Sequence, residues 1–308
     1  MYEPTERQLD DDVHKSMDMF ERAKVGDVAP IEPRTPHRVL VAFDGSSQDP
    51  MSRAVAGALR RRFDCRILAI DAREAADVDL AKESADELQA EPLDRCDGDS
   101  YDQILTAIEG SQCDLVVAPS PFGRDLDNVG NDSTGTVIDV LLARSPVPLM
   151  VVRQPYQLES NPFERTVMVL IGENSAAESA AQWAVGLTAA TGRTELRLVV
   201  EDEVLENTQS LLDTLDPGAE LTPETLGRAM ERSHLRLHKA IDQAARSNEV
   251  HYRLNVLRES DHRLADLSGG DRHPLLVLAH ERSDHASQGH VHDRIRRSPH
   301  PVFVVSLG

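Results

Sequence analysis

The sequence predicts an α/β protein of two tandem doubly wound domains, each with a five-stranded, mostly parallel sheet. Three observations lead there. The chain repeats itself: ARSPVPLMVV at 143–152 aligns without gaps on RRSPHPVFVV at 296–305, each a helix end, a Ser-Pro-x-Pro turn and a β-branched strand. Upstream, RVLVAFDGSS from Arg38 parallels RTVMVLIGENS from Arg165, and each leads into an alanine-rich amphipathic stretch. Finally, apolar runs such as DLVVA and PLMVV are continuous rather than alternating, which marks strands covered on both faces and joined by crossover helices. A length of 308 residues fits two domains.

In chain order, residues 7–24 place Leu9, Val13, Met17 and Phe20 on one helical face, and Pro30, Pro33 and Pro36 then mark an extended linker, so 1–36 form an arm outside the repeat. The arm's stripe is suited to a protein groove, and a neighbouring chain is its expected seat. The first domain, 37–155, has strands at 38–43, 66–71, 92–96, 114–118 and 149–152, with helices at 52–62, 77–90, 101–109 and 136–144. In the second domain, 163–308, strands fall at 166–171, 195–200, 252–257, 275–279 and 302–305. Its extra length lies near 202–223, an acidic, exposed insertion with one or two helical turns.

Composition excludes several function classes. With 53 acidic against 33 basic residues the net charge is -20, a surface that repels nucleic-acid phosphates. Lysines are confined to Lys15, Lys24, Lys82 and Lys239, and aromatics make up 4%; this resembles proteins of salt-accumulating halophiles. No window is long and apolar enough for a membrane span and no signal peptide is evident, so the expected location is the cytoplasm and the chain is not membrane-embedded. Cys65, Cys96 and Cys113 follow no disulfide or zinc-ligand spacing and read as free thiols.

In an open parallel sheet, ligands sit beyond the carboxyl ends of the strands. There the first strand ends in Phe43-Asp44-Gly45-Ser46-Ser47, an acidic side chain followed by small residues. The fourth runs into APSPFGRDLDNVGNDSTGT, a loop whose backbone N–H groups, next to a helix N-terminus, can hold phosphate without lysine. Asp44 read alone is equally a helix cap or turn residue, Gly135-Thr136 a turn plus cap, Ile70 a core strand residue and Arg124 a solvated charge.

These residues resemble the universal stress protein (UspA-type) family over nearly the whole chain after about residue 37. The resemblance implies ATP or AMP, with or without Mg, bound by an Asp after strand one and a loop of the form G-x2-G-x9-G-[ST]. Asp44, with Gly45 beside it, matches the first feature; Gly123 matches the second glycine, and Gly135 with Thr136 the closing pair. Ser120 stands where the first glycine is expected, and the spacer from Gly123 to Gly135 is two residues longer. Ile70 matches the position whose backbone contacts adenine, and Arg124 lies within reach of phosphate.

In the second copy Gly172 falls where Asp44 does, and AHERSDHASQGHVHD keeps only Gly289, which implies a degenerate site. His280, His285, His290 and His292 read as a solvated loop rather than a metal site. No catalytic constellation stands out. The resulting expectation is a non-enzymatic stress-response module that binds an adenine nucleotide and acts as a homodimer, with a nucleotide-free scaffold or transporter-regulating adaptor as the alternative and a further protein partner open to either.

Overall fold

A computed structural model describes residues 30–73, 83, 86–124, 133–153, 162–171, 174–215, 218, 221–264, 274–283, 285–298 and 300–307. The predicted helix at residues 7–24 and most of that at 77–90 lie outside them.

Among the described residues ten strands form one sheet: β1 (Arg38–Phe43), β2 (Arg66–Asp71), β3 (Glu91–Pro92), β4 (Leu115–Pro119), β5 (Leu149–Val152), β6 (Arg165–Ile171), β7 (Arg193–Val200), β8 (His251–Arg258), β9 (Leu275–Glu281) and β10 (Val302–Leu307). Their spatial order is β3-β2-β1-β4-β5-β10-β9-β6-β7-β8, so the last five strands repeat the order of the first five. Every pairing is parallel except β5 with β10, which run antiparallel with Met150 opposite Phe303. That seam joins two five-stranded sheets edge to edge into one.

Helices cover both faces, as continuous apolar strands require. One face carries α1 (Asp49–Phe63), α4 (Ala177–Leu187) and α7 (Leu235–Ser247), which bury Val55, Leu59, Trp183 and Ile241 against Val41, Met168 and Phe303. The other carries α2 (Ser100–Ser111), α3 (Thr136–Arg144) and α9 (His285–Arg297), with Ile104, Ile138, Leu141, Val291 and Ile295 packed on Leu40, Val116 and Val304. Trp183 and Phe303 lie with ring centroids 5.2 Å apart, tying α4 to the seam strand β10.

Three expectations need correction. The third strand is two residues long, since after Pro92 the chain turns away towards α2. Residues 202–223 hold far more helix than one or two turns: α5 (Asp202–Leu215) is followed by α6 (Pro223–Ser233), begun by Thr222 as cap to the Thr225 N–H. The segment is exposed as expected, with Leu215 82% accessible. The histidine run is not a loop: α9 contains His290 and His292, while His280 sits buried on β9. The linker lies on the chain's own second half, while the seat of the apolar stripe at residues 9–20 falls outside the described residues. The Arg34 N–H donates to the Gln182 carbonyl (3.0 Å), and Gly186 admits the Arg34 carbonyl, which a Cβ there would meet at 1.9 Å.

Candidate functional site

The carboxyl ends of β1 and β4 and the N-terminus of α3 converge. Asp44 follows β1 directly and is buried; its Oδ1 accepts from the Ser46 N–H (2.8 Å) and its Oδ2 from the Gly123 N–H (2.7 Å). Asp44 thus pins the loop after β4 to the tip of β1. Asp49, at the start of α1, accepts from the Asp44 and Gly45 N–H groups (3.2 and 2.9 Å). Burial, followed by the neighbouring Asp44 charge, pushes the Asp49 carboxyl up to about 7. From the same turn, the Gln48 amide donates to the Pro121 carbonyl (3.3 Å).

Glycine is required at two of these points. Gly123 has φ +71 with open space where a Cβ would stand, and Gly135 has φ +89 with Pro121 3.3 Å from its Cβ position. Gly135 is the cap residue of α3, and its carbonyl accepts from the Asp139 N–H (3.1 Å); Thr136 is the first helical residue and exposed. Ser120, preceding a cis bond to Pro121, donates through Oγ to the Thr134 carbonyl (2.9 Å). Arg153, at the end of β5, donates to the Ser133 carbonyl (3.1 Å) and to Ser120 Oγ (3.4 Å). Gly123 on one side of this loop and Ser133 and Thr134 on the other are therefore anchored.

Of the sequence-predicted residues, Asp44, Gly45, Ser120, Gly123, Gly135 and Thr136 come together here. Ile70 is a buried β2 residue in register with Ala42, one residue short of the sheet's edge at this end. Arg124 is exposed on the loop beyond Gly123. Next to Ile70, Asp71 receives Arg73 as a fork, Nε to Oδ1 at 2.9 Å and Nη2 to Oδ2 at 2.8 Å. Burial alone would raise the Asp71 carboxyl, but the Arg73 bonds and charge, with Arg95, hold it below the usual range. The Arg73 stem lies 2.6 Å from where a Gly45 Cβ would stand, so Gly45 makes room for it.

One contact across the two halves has no local sequence signature. His292, on α9, meets α3: its Nδ1 lies 3.3 Å from Asp139 Oδ1 and 3.1 Å from Thr134 Oγ1, and Thr134 donates to Asp139. Burial would raise the Asp139 carboxyl; hydrogen bonds from His292 and Thr134 hold it low. Asp49, Asp71, Arg73 and Arg153 were also missed. Of these only Asp49, five residues after Asp44 at a helix start, had a readable signature.

Gly172 lies outside the described residues. In strand register Ile171 takes the place of Asp44, and Asn174 makes the cross-loop link, donating to the Ala279 carbonyl (3.2 Å) and accepting from the Ala176 N–H (2.8 Å). Among the described residues no group of three or more His, Cys, Asp or Glu could hold a metal ion, and no helix is long and apolar enough to cross a membrane. The three cysteines are free, and burial pushes the Cys65 and Cys113 thiols up to about 11.

No protein-family model and no curated protein matches the sequence. Solved structures do match the fold. A universal stress protein from Archaeoglobus fulgidus DSM 4304 superposes with TM-score 0.56 at 17% identity, covering 88% of this chain and 96% of that one. A protein of unknown function from Pseudomonas aeruginosa PAO1 gives 0.51 at 10% identity, over 88% and 92%. A Pseudomonas aeruginosa UCBPP-PA14 protein, described as a candidate universal stress protein, gives 0.52 at 10% identity, over 88% and 93%. The α/β architecture, with its ten-stranded and mostly parallel sheet, is that of universal stress protein structures.

Proposed function

We propose that this chain is a universal-stress-type regulatory module whose first half binds an adenine nucleotide, ATP or AMP, in the crevice between Asp44 and Gly135. The observation that carries the reading is the convergence of three elements on one strand-end crevice: the Asp44 carboxylate, the glycine backbone at Gly123 beside open space, and the α3 N-terminus behind Gly135. Asp44 uses two of the roughly four acceptor positions of a carboxylate on Ser46 and Gly123, which leaves capacity for ribose hydroxyls. The α3 N–H groups suit phosphate oxygens, the Ile70 backbone would face the base, and Arg124 stands near the phosphate path. No hydrolytic step is assigned. The nucleotide acts by differential affinity for one conformation or one homodimer, read by a protein partner in the cytoplasm.

A nucleotide-free scaffold is the second reading, favoured by the engagement of both Asp44 oxygens with backbone N–H groups and by the Arg73 stem lying over Gly45. Native mass spectrometry of the intact chain with added ATP and with added AMP separates them. One bound nucleotide, lost in Asp44→Asn, supports the first reading, and only apo mass with either supports the second.

A further inference from the structure

The sheet's two edges are unlike. β3 closes one side with two residues, whereas β8 closes the other with eight. β8 pairs with β7 alone: the His251 N–H donates to the Gly192 carbonyl (2.8 Å), and the parallel register runs unbroken to Val200 opposite Arg258. Along a strand successive residues turn their backbone groups to opposite sides, so His251, Arg253, Asn255 and Leu257 bond to β7 while Tyr252, Leu254 and Val256 turn N–H and C=O outward. Among the described residues nothing takes up those outward groups, and each is a donor or acceptor that a further strand would satisfy. The Ser260 N–H of α8 (Glu259–Leu264) donates to Asp202 Oδ2 (3.1 Å), so β8 is held at both ends and needs little ordering before it pairs.

The two faces of β8 differ in chemistry. Tyr252, Leu254 and Val256 lean on the apolar cluster that holds Ile241 and Ala244 of α7, and the Tyr252 hydroxyl bonds to His238 Nδ1 (2.9 Å). On the other face Arg253 stands in register with Glu195, whose oxygens are already taken by Arg197, Asn255 and Arg165. Arg253 and Arg258 are exposed and in no ion pair among the described residues, and β8 has no acidic residue. A long edge is a template for another strand unless shortness, proline or a bulge blunts it, and β8 has none of these. Its positive charge repels a basic strand and attracts an acidic one. Screening over about 8 Å in physiological salt lets the local guanidinium outweigh the distant net negative charge of the chain.

We propose that the outer edge of β8 docks an extended acidic segment of a partner protein as a further strand of the sheet. Main-chain hydrogen bonds to Tyr252, Leu254 and Val256 hold the segment, and its side chains alternate, apolar ones continuing the Tyr252–Leu254–Val256 row and carboxylates meeting Arg253 on the opposite face. A second copy is the poorer occupant, because two β8 edges would bring arginine to arginine. The edge ends the second half of the sheet, with six strands between it and the β1–β4 crevice, and it stands whether or not a nucleotide binds there.

Fluorescence polarisation on the intact chain tests it, with a labelled peptide of alternating valine and glutamate as long as β8 and an alternating valine–lysine peptide as control. The valine–glutamate peptide should saturate, and the valine–lysine peptide should bind about tenfold more weakly. Strand pairing engages every second amide, so N-methylating only the valines or only the glutamates should abolish binding in one case and leave it in the other. Arg253→Glu, an exposed change remote from the crevice, should reverse the preference between the two peptides. Val256→Pro removes an outward N–H and no bond to β7, and should abolish binding with the unfolding midpoint kept; if it unfolds, the two methylated peptides carry the same test. No saturation by the valine–glutamate peptide, equal affinity for both peptides, equal effects of the two methylation patterns, or a preference unchanged by Arg253→Glu overturns the proposal. A concentration-dependent dimer in light scattering that Val256→Pro removes would give the edge to a second copy and overturn it too.

Discussion

The two halves of the sheet share a backbone plan and differ in what they place at matching positions. Aligning β1 and β2 on β6 and β7 sets Leu68 and Ile70 opposite Glu195 and Arg197. In the first half these positions are apolar and buried. In the second they form a buried ionic cluster: Glu195 accepts from Arg197 Nε (2.7 Å), Arg165 Nη2 (2.9 Å) and the Asn255 amide (2.6 Å). The strand ends differ in kind too. Arg153 donates to Ser120 Oγ in the first half, whereas the corresponding pair in the second is Ser306 Oγ with His280 Nδ1 (2.9 Å). The fold needs a bridge between these adjacent strand ends and accepts more than one chemistry for it. A carboxylate at the β1 tip and an apolar position at Ile70 are not needed by the fold, since the second half does without both, and that frees them to serve a ligand.

The largest test of this contrast removes Glu195. Burial alone would raise its carboxyl, but Arg197 and Arg165 hold it below the usual range. Glu195→Ala leaves Arg197 buried without its partner and should cost about 3–5 kcal/mol in urea unfolding. The paired change Glu195→Leu with Arg197→Ile, which copies the first half, should be neutral or stabilising by about 1–4 kcal/mol. A paired change as damaging as the single one would mean that the ionic cluster is itself a fold requirement.

Next in size is the pH response of Asp49. Its carboxyl rises from the ordinary 3.8 to about 7 on folding, so the folded chain holds the proton more tightly. The stability this provides is complete below about 4 and declines as pH rises to about 7, with a ceiling of about 4 kcal/mol. Asp49→Asn should flatten that part of the stability profile between pH 4 and 7, read by chemical denaturation; an unchanged profile would show that Asp49 is ionised in the fold throughout.

Asp44→Ala follows. Because Asp44 is buried and ties Gly123 and Ser46 to β1, the change should cost about 1–3 kcal/mol even without ligand. An unchanged midpoint would return Asp44 to a simple strand-tip residue. Smallest is His292→Ala across the halves, where a half-exposed pair to Asp139 should be worth less than about 1 kcal/mol. A larger loss would mean that α9 helps to hold the α3 N-terminus.

Much of this contrast could be read in the residues. Continuous β-branched runs and the Ser-Pro-x-Pro repeat located nine of the ten strands closely, because most of them are buried on both faces and leave a strong apolar signal, while the edge strand β8 was found by its place in the repeat. The third strand was overextended because an edge strand of two residues carries too little pattern. Helix α5 was underestimated because its acidic, exposed surface shows little of a buried stripe; Leu205 is its one buried residue among those described. The histidines of α9 looked like a loop since their helix mixes polar residues among Val291 and Ile295 and so shows little of an apolar stripe. At the site, the glycines and Asp44 were legible because positive φ and a strand-tip carboxylate leave a type-specific trace. The roles of Arg73, Arg153 and His292 depend on which strands lie side by side, and a local pattern does not encode that.

The halves share a fold, and under the proposed function only the first keeps a nucleotide crevice. Titrating the intact chain with ATP, and separately with AMP, by calorimetry tests it most directly. Saturation by at least one of them is expected at one nucleotide per chain, with affinity at least tenfold weaker in Asp44→Asn and unchanged in Asn174→Ala. Two nucleotides per chain, or none with either ligand at millimolar concentration, would contradict it.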